Sequence, residues 1–306
     1  MPTGLGKSLC YQLPALLLDG VAVVISPLIS LMKDQYDSLV KINYPATYLN
    51  SSLSLAETRE RRLLIESGDV RLVYVAPERL LSDSFVSLLS DINISFLAID
   101  EAHCISEWGH DFRPTYRNIL PLLRKVEVPS VVALTATATP DVQRDIVSVL
   151  DMSSPNVIVS GFDRPNLRYH TEYTSKKIDK VDRVLSILGS LSPGSVIIYC
   201  NTRNECEMLN NRLLDSGIRS IIYHGGLAFN VRKNNQERFI NGDVDVVVAT
   251  NAFGMGIDKP DVRVIIHYNI PGSIEAYYQE VGRAGRDGLP SSCHLFLHYP
   301  DIRVQE

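Results

Sequence analysis

The sequence predicts an α/β protein made of two units, each a parallel sheet covered by helices. Three observations lead there. Short β-branched runs alternate with helical stretches along all 306 residues, the order expected of βαβ units. The runs are continuously apolar instead of alternating, as in strands buried on both faces. Directly after the runs come short polar signatures, and in open parallel sheets ligands bind beyond the carboxyl ends of the strands. A chain of this length accommodates two domains of ordinary size.

The chain opens on Thr3-Gly4-Leu5-Gly6-Lys7-Ser8, which reads as a phosphate-binding loop. Gly4 and Gly6 allow a tight turn that presents N–H groups to phosphate oxygens. Lys7 offers a cation to the β- and γ-phosphates, and the Ser8 hydroxyl can ligate Mg²⁺. Leu9–Pro14 fits the start of a helix whose N-terminus favours an anion. The general pattern wants a glycine where Met1 stands, and a buried strand where only Met1 and Pro2 precede the loop.

The strands predicted for the first half are Val21–Ser26, Leu72–Val75, Phe96–Ile99 and Val131–Leu134. Those of the second half are Val196–Tyr199, Ile221–Tyr223, Val244–Ala249, Val264–His267 and Cys293–Leu297. Leu55–Glu66, Pro140–Leu150, Asn204–Asp215 and Val231–Asn241 read as amphipathic helices between them. Ser26-Pro27, Ala76-Pro77-Glu78, Asp100-Glu101 and Thr135-Ala136-Thr137 follow the first four strands and should share one sheet edge with the phosphate loop. Cys200–Arg203, His224–Gly226, Thr250-Asn251 and Tyr268-Asn269 repeat the arrangement. The boundary is expected near Ser160-Gly161, after the turn-rich Asp151–Asn156, dividing the chain into 1–160 and 161–306 with a cleft between.

Composition narrows the class without choosing a ligand. Hydrophobic residues are 45% and charged residues 21%, the balance of a soluble globular protein. The net charge of -5 does not advertise a nucleic-acid binder, although a net value hides local basic grooves. Cys10, Cys104, Cys200, Cys206 and Cys293 are scattered and contain no C-x-x-C pair, so reduced thiols in an intracellular protein and no zinc site are expected. No apolar run is long enough to span a membrane, and no signal-peptide pattern opens the chain.

Three segments carry the candidate chemistry. In Asp100-Glu101-Ala102-His103, a carboxylate at a strand end can hold Mg²⁺ and its neighbour can orient an attacking water. An acidic pair at a strand terminus can also be merely solvated; the phosphate loop earlier in the chain favours the hydrolytic reading. His103 is placed to link the nucleotide to the loop Cys104–Pro114. That loop holds the only tryptophan, Trp108, with Phe112 and Arg113, groups that suit stacking on unpaired bases and contact with phosphates. The alternative is a packed aromatic loop. In Gln279–Gly288, Arg283 and Arg286 lie three apart on a helical face or a short turn, and a guanidinium reaching a γ-phosphate would act as an arginine finger. A surface Arg/Asp cluster of little energetic worth is the alternative.

Together these segments resemble the RecQ family of DNA helicases in superfamily two, along nearly the whole chain and in the family's order. Asp100–His103 with the Trp108 loop is the most specific part of the match. Thr135–Thr139, Phe162–Asn166, His224–Gly226, Phe253–Pro260 and Gln279–Gly288 also look like RecQ motifs. The resemblance implies two RecA-like lobes of the P-loop NTPase type, use of ATP and Mg²⁺, and 3′-to-5′ movement on single-stranded and forked DNA in recombination and repair. It implies that Thr3, Gly4, Gly6, Lys7 and Ser8 bind phosphate, and that Ser8 and Asp100 hold Mg²⁺. Glu101 would position water, and Gln279, Arg283 and Arg286 would complete hydrolysis, with Arg286 as the finger. His103, Trp108, Phe112 and Arg113 would couple DNA to that chemistry.

Leu5 departs from the family's usual glycine. The family's upstream adenine-recognising element, its four-cysteine zinc module and its winged helix are not in this sequence. A helicase core fragment, or a minimal form, is therefore expected, acting as a monomer and with a first lobe lacking its N-terminal strand. Its setting would be the bacterial nucleoid or the eukaryotic nucleus. The rival readings are a DNA-binding module with little ATPase, an RNA-directed helicase and, more remotely, a small-molecule kinase.

Overall fold

The computed structural model describes residues 1, 6–107, 111–161, 163–174, 177–190, 193–254 and 259–298. The chain forms two compact units, Met1–Phe162 and Asp163–Glu306. The first runs α1 (Leu9–Leu17), β1 (Val21–Ile25), α2 (Ile29–Val40), β2 (Ala46–Leu49), α3 (Leu55–Glu66), β3 (Leu72–Val75), α4 (Asp83–Ser90), β4 (Ile94–Ile99), α5 (Ile119–Leu123), β5 (Val131–Ala133) and α6 (Pro140–Val149). The second runs β6 (Leu167–Tyr173), α7 (Lys177–Gly189), β7 (Ser195–Tyr199), α8 (Arg203–Asp215), β8 (Ser220–Tyr223), α9 (Phe229–Ile240), β9 (Val246–Ala249), β10 (Val262–His267), α10 (Ile274–Val281) and β11 (Ser291–Leu297).

Each unit is built on one parallel sheet. The first has five strands in the order β2-β3-β1-β4-β5, the second six in the order β6-β11-β10-β7-β9-β8. Every pairing within them is parallel. The continuous apolar runs are explained by two cores per sheet. On β1, Val21, Val23 and Ile25 pack with Val73, Val75, Leu97 and Ile99 on one face. Ala22 and Val24 pack with Tyr11, Met32, Tyr74 and Phe96 on the other. On β7, Ile197 and Tyr199 face one core and Val196 and Ile198 the second. Each such fully buried aliphatic side chain stabilises the fold by about 1.5–3 kcal/mol relative to exposure.

Register brings the strand ends level. Ile25 is paired with both Val75 and Ile99, and Ile99 with Ala133. The polar signatures that follow these strands therefore emerge along one edge of the first sheet. In the second sheet Tyr199 is level with Ala249 and His267, and Ala249 with Tyr223.

Two strands have no counterpart in the sequence reading. β2 is a four-residue edge strand after Pro45. β6, Leu-Arg-Tyr-His-Thr-Glu-Tyr, buries only Leu167 and is held through seven residue pairs with β11. Its side chains give no apolar signal because its stability comes from backbone pairing at an edge. The Val244–Ala249 run pairs only from Val246, and the Cys293–Leu297 run extends back to Ser291. Among the described residues no helix is long and apolar enough to cross a membrane.

Candidate active site

The site of the first unit is assembled where α1 begins and β1, β4 and β5 end. Gly6 has φ +74°, a left-handed conformation that favours glycine. Lys7 and Ser8 follow in a turn closed by Leu9 N–H donating to Gly6 O at 2.9 Å. Ser8 stands at the N-cap of α1 without a side-chain capping bond, which leaves its hydroxyl uncommitted to the helix. Thr3, Gly4 and Leu5 lie outside the described residues.

Asp100 is the first residue after β4 and is 9% exposed. Its N–H donates to Ile25 O at 2.9 Å, and its Oδ1 accepts from Glu101 N–H at 3.0 Å. Burial, and then the Glu101 charge, pushes its carboxyl up to about 7, against the opposing pull of Lys7. Glu101 is left-handed, φ 48° and ψ 48°. Such a conformation costs a non-glycine residue on the order of 1–3 kcal/mol. It reverses the chain into the buried turn Ala102–Ile105. Ala102 N–H then donates to Leu134 O at 2.9 Å, tying this segment to the end of β5.

His103 completes that tie. Its Nδ1 is 2.9 Å from Thr135 Oγ1 and 3.3 Å from Glu101 Oε2. The Thr135 hydroxyl donates to Thr137 O at 3.1 Å, so at this contact Thr135 accepts and Nδ1 carries the hydrogen. The loop beyond is closed by Arg113 N–H donating to Cys104 O at 2.9 Å. Burial, and then the Asp111 charge, pushes the Cys104 thiol well above the usual thiol range and keeps it protonated.

The sequence reading placed Arg113 among the residues that would couple DNA to hydrolysis, as a group suited to contact with phosphates. In the structure its Nη1 donates to Pro27 O at 2.7 Å, and its Nε and Nη2 donate to Asp111 Oδ2 at 3.2 and 3.0 Å. Arg113 braces the loop against the end of β1. Phe112 is half-buried under the Arg117 guanidinium, 5.2 Å from its ring centre, and Arg117 pairs with Glu107 at 2.7 Å. Trp108 lies outside the described residues.

In the second unit Gln279 lies half-buried on α10. Its neighbour Glu280 is buried and 2.8 Å from His267 Nε2. The helix ends at Val281, so Arg283 and Arg286 fall on a turn and not on a helical face. Arg283 is buried and donates to Gly254 O. Arg286 is half-buried.

The residues that shape this turn were missed as such in the sequence. Arg164 is buried and donates to Gly282 O at 3.4 Å, and to Ala284 O and Gly285 O at 3.0 Å each. Asn166 donates to Gly285 O at 2.9 Å and to Leu289 O at 3.0 Å. Gly285 has φ +55°, and a Cβ there would lie 2.4 Å from Asn166 Nδ2. The only sequence signal was the Phe162–Asn166 motif just before β6, whose Phe162 lies outside the described residues. Met255–Asp258 lie outside the described residues.

The chain is similar to known helicases along its length. The DEAD/DEAH box helicase family model matches residues 1–146, and the helicase conserved C-terminal domain matches residues 176–288. The ATP-dependent DNA helicase RecQ of Bacillus subtilis is 48% identical over 306 residues, covering 100% of this chain and 51% of that protein. The RecQ-like DNA helicase BLM of Xenopus laevis is 44% identical over 310 residues, covering 99% of this chain and 23% of that protein. Among solved structures, Mycobacterium smegmatis helicase Lhr bound to ssDNA and AMP-PNP superposes with a TM-score of 0.76 at 22% identity, over 98% of this chain and 44% of that one. Saccharomyces cerevisiae Dbp5 bound to RNA and ADP BeF3 gives 0.76 at 18% identity, over 100% of this chain and 80% of that one. These likenesses show the fold, two RecA-like lobes. The chain spans about half the length of the bacterial RecQ proteins it matches. By its identity to them along its whole length, and by both domain matches, it belongs to the RecQ family of helicases.

Proposed function

We propose that this chain is the motor of an ATP-dependent DNA helicase, coupling ATP hydrolysis to 3′-to-5′ movement on single-stranded DNA and to duplex separation. The observation that carries the reading is the carboxyl edge of the first sheet. A buried Asp100 next to Glu101, within the field of Lys7, is linked through His103 to Thr135 and on to the loop that Arg113 braces. The donor set fits magnesium. Two adjacent carboxylates, one held up to about 7 by burial, are relieved by a cation. Asp100 and the Ser8 hydroxyl would hold it, and when bound it supplies neutralisation of charge on the β- and γ-phosphates.

The chain's own residues do the rest. Gly6 and Lys7 receive phosphate, with Thr3 and Gly4 assigned to the same loop. Glu101 orients the attacking water. Gln279, Arg283 and Arg286 are the second unit's contribution to hydrolysis, with Arg286 stabilising charge in the transition state. Thr135, His103 and the loop through Trp108, Phe112 and Arg113 transmit DNA binding to Glu101. Action on DNA sets the protein at the nucleoid or in the nucleus, in recombination and repair, acting as a monomer.

The fold is shared by proteins solved with DNA and with RNA, so the choice of DNA rests on the RecQ relatives. ATPase rates with DNA and RNA of one sequence test it. Stronger stimulation by DNA is expected; equal or stronger stimulation by RNA would overturn the DNA assignment. Displacement of streptavidin from only one end of biotinylated single strands reads the polarity.

A further inference from the structure

Behind His103, on the side away from Thr135, lies a cluster whose cysteine and aspartate have no part in the proposed hydrolysis. His103, Cys104 and Asp111 each offer one donor atom, all within 4.8 Å of one another. Cys104 Sγ is 3.8 Å from His103 Nε2 and 3.8 Å from Asp111 Oδ2. In a tetrahedral zinc site, Zn–S of about 2.3 Å and Zn–N of about 2.0–2.1 Å set sulfur and nitrogen about 3.6 Å apart. The two edges that meet at Cys104 Sγ need to contract by only a few tenths of an ångström. His103 and Cys104 are buried, at 1% and 0% exposure, while the Asp111 side chain is 31% exposed and gives an ion a way in.

The surroundings are those of a metal centre. In the neutral ring, the Nδ1 hydrogen faces Thr135 and Glu101, which directs the Nε2 lone pair toward Cys104. A ligating histidine is normally oriented in this way, by a carboxylate or another acceptor on its far nitrogen. Asp111 is in turn held by Arg113, at 3.0 and 3.2 Å, as ligating carboxylates are held. A thiolate with an imidazole and a carboxylate is a donor set that suits zinc, and three protein ligands leave the fourth position to water.

We propose that His103 Nε2, Cys104 Sγ and an Asp111 carboxylate oxygen form a zinc-binding site that locks the Cys104–Arg113 loop to the end of β4. Binding makes one bond from zinc to each of the three atoms and releases the thiol proton to solvent. The absence of paired cysteines in the sequence argued against zinc, but this site takes one cysteine, its neighbour and a residue seven positions on. Occupancy holds Asp111, and Arg113 paired with it, in the arrangement described above. It thereby suppresses the loop's response to DNA and leaves the phosphate loop untouched. That consequence rests on the proposed function; the binding does not.

The test is titration of the 306-residue chain with Co²⁺, followed by displacement with Zn²⁺, in a Cys10→Ser background that removes the one exposed thiol. One equivalent of Co²⁺ is expected, with a thiolate-to-cobalt charge-transfer band that Zn²⁺ abolishes. Cys104→Ser should eliminate the band, and Asp111→Asn should weaken affinity at least tenfold. Circular dichroism confirms that both variants are folded; if Cys104→Ser is not, Asp111→Asn decides. Absence of the band in the parent, or its persistence at parental affinity in the folded variants, overturns the site. Separately, one equivalent of Zn²⁺ should reduce ATPase stimulation by single-stranded DNA severalfold and spare the basal rate. If Co²⁺ binds but stimulation is unchanged, the metal site stands and its regulatory role falls.

Discussion

Asp100 shows how placement changes the chemistry of a common side chain. At the end of a strand buried on both faces it is removed from water, next to a second carboxylate and within reach of one lysine. Its carboxyl is raised from 3.8 to about 7, so between these values the folded chain binds a proton that the unfolded chain has lost. The sign follows: this group's contribution is favourable at acid pH and is lost as pH rises toward about 7. Thermal melts of the metal- and nucleotide-free protein should fall over that range. Asp100→Asn should flatten the profile and melt higher at pH 8; a parental profile in the variant would refute the burial argument. Asp100, Glu101 and His103 could be read from the sequence because they directly follow an apolar run. The role of Arg164 could not, because its bonds go to backbone carbonyls 118 to 121 residues away.

At the scale of elements, the strands in the sheet interiors were legible, as were the apolar edge strands β5 and β8; the edge strands β2 and β6 were not. β1, β3 and β9 are apolar throughout, and β4 and β7 apolar but for Ser95 and Ser195, because both of their faces are covered. β6 is polar and exposed because only its backbone is needed by β11. The arginine turn after α10 was read as a motif but not as a shape. Its shape depends on Arg164 and Asn166 filling carbonyls that no helix satisfies. Arg164→Ala leaves buried carbonyls without their charged donor and should cost about 2–4 kcal/mol. Urea denaturation measures this; a loss under about 0.5 kcal/mol, the range of an ordinary surface change, would show that the turn holds without Arg164.

At the scale of the whole molecule, two units with the same architecture present polar strand ends along one edge of each sheet. In the proposed function the first supplies the phosphate- and metal-binding residues and the second the arginines. If Arg286 acts in the transition state, Arg286→Ala should keep nucleotide affinity and lower turnover by roughly 10³-fold or more. Fluorescent-nucleotide binding alongside steady-state hydrolysis separates the two effects. A variant that loses affinity but not turnover would place Arg286 in ground-state binding.

The claim tested most directly is that the end of β4 hydrolyses ATP in response to DNA. The measurement is steady-state ATPase with and without single-stranded DNA, for the parent chain and Glu101→Gln. The parent should be stimulated by DNA. The variant should bind nucleotide normally while its DNA-stimulated rate falls by about 10²-fold or more, as expected on losing a positioned acid–base group. An unstimulated parent, or a Glu101→Gln variant that turns over at the parental rate, would contradict the account.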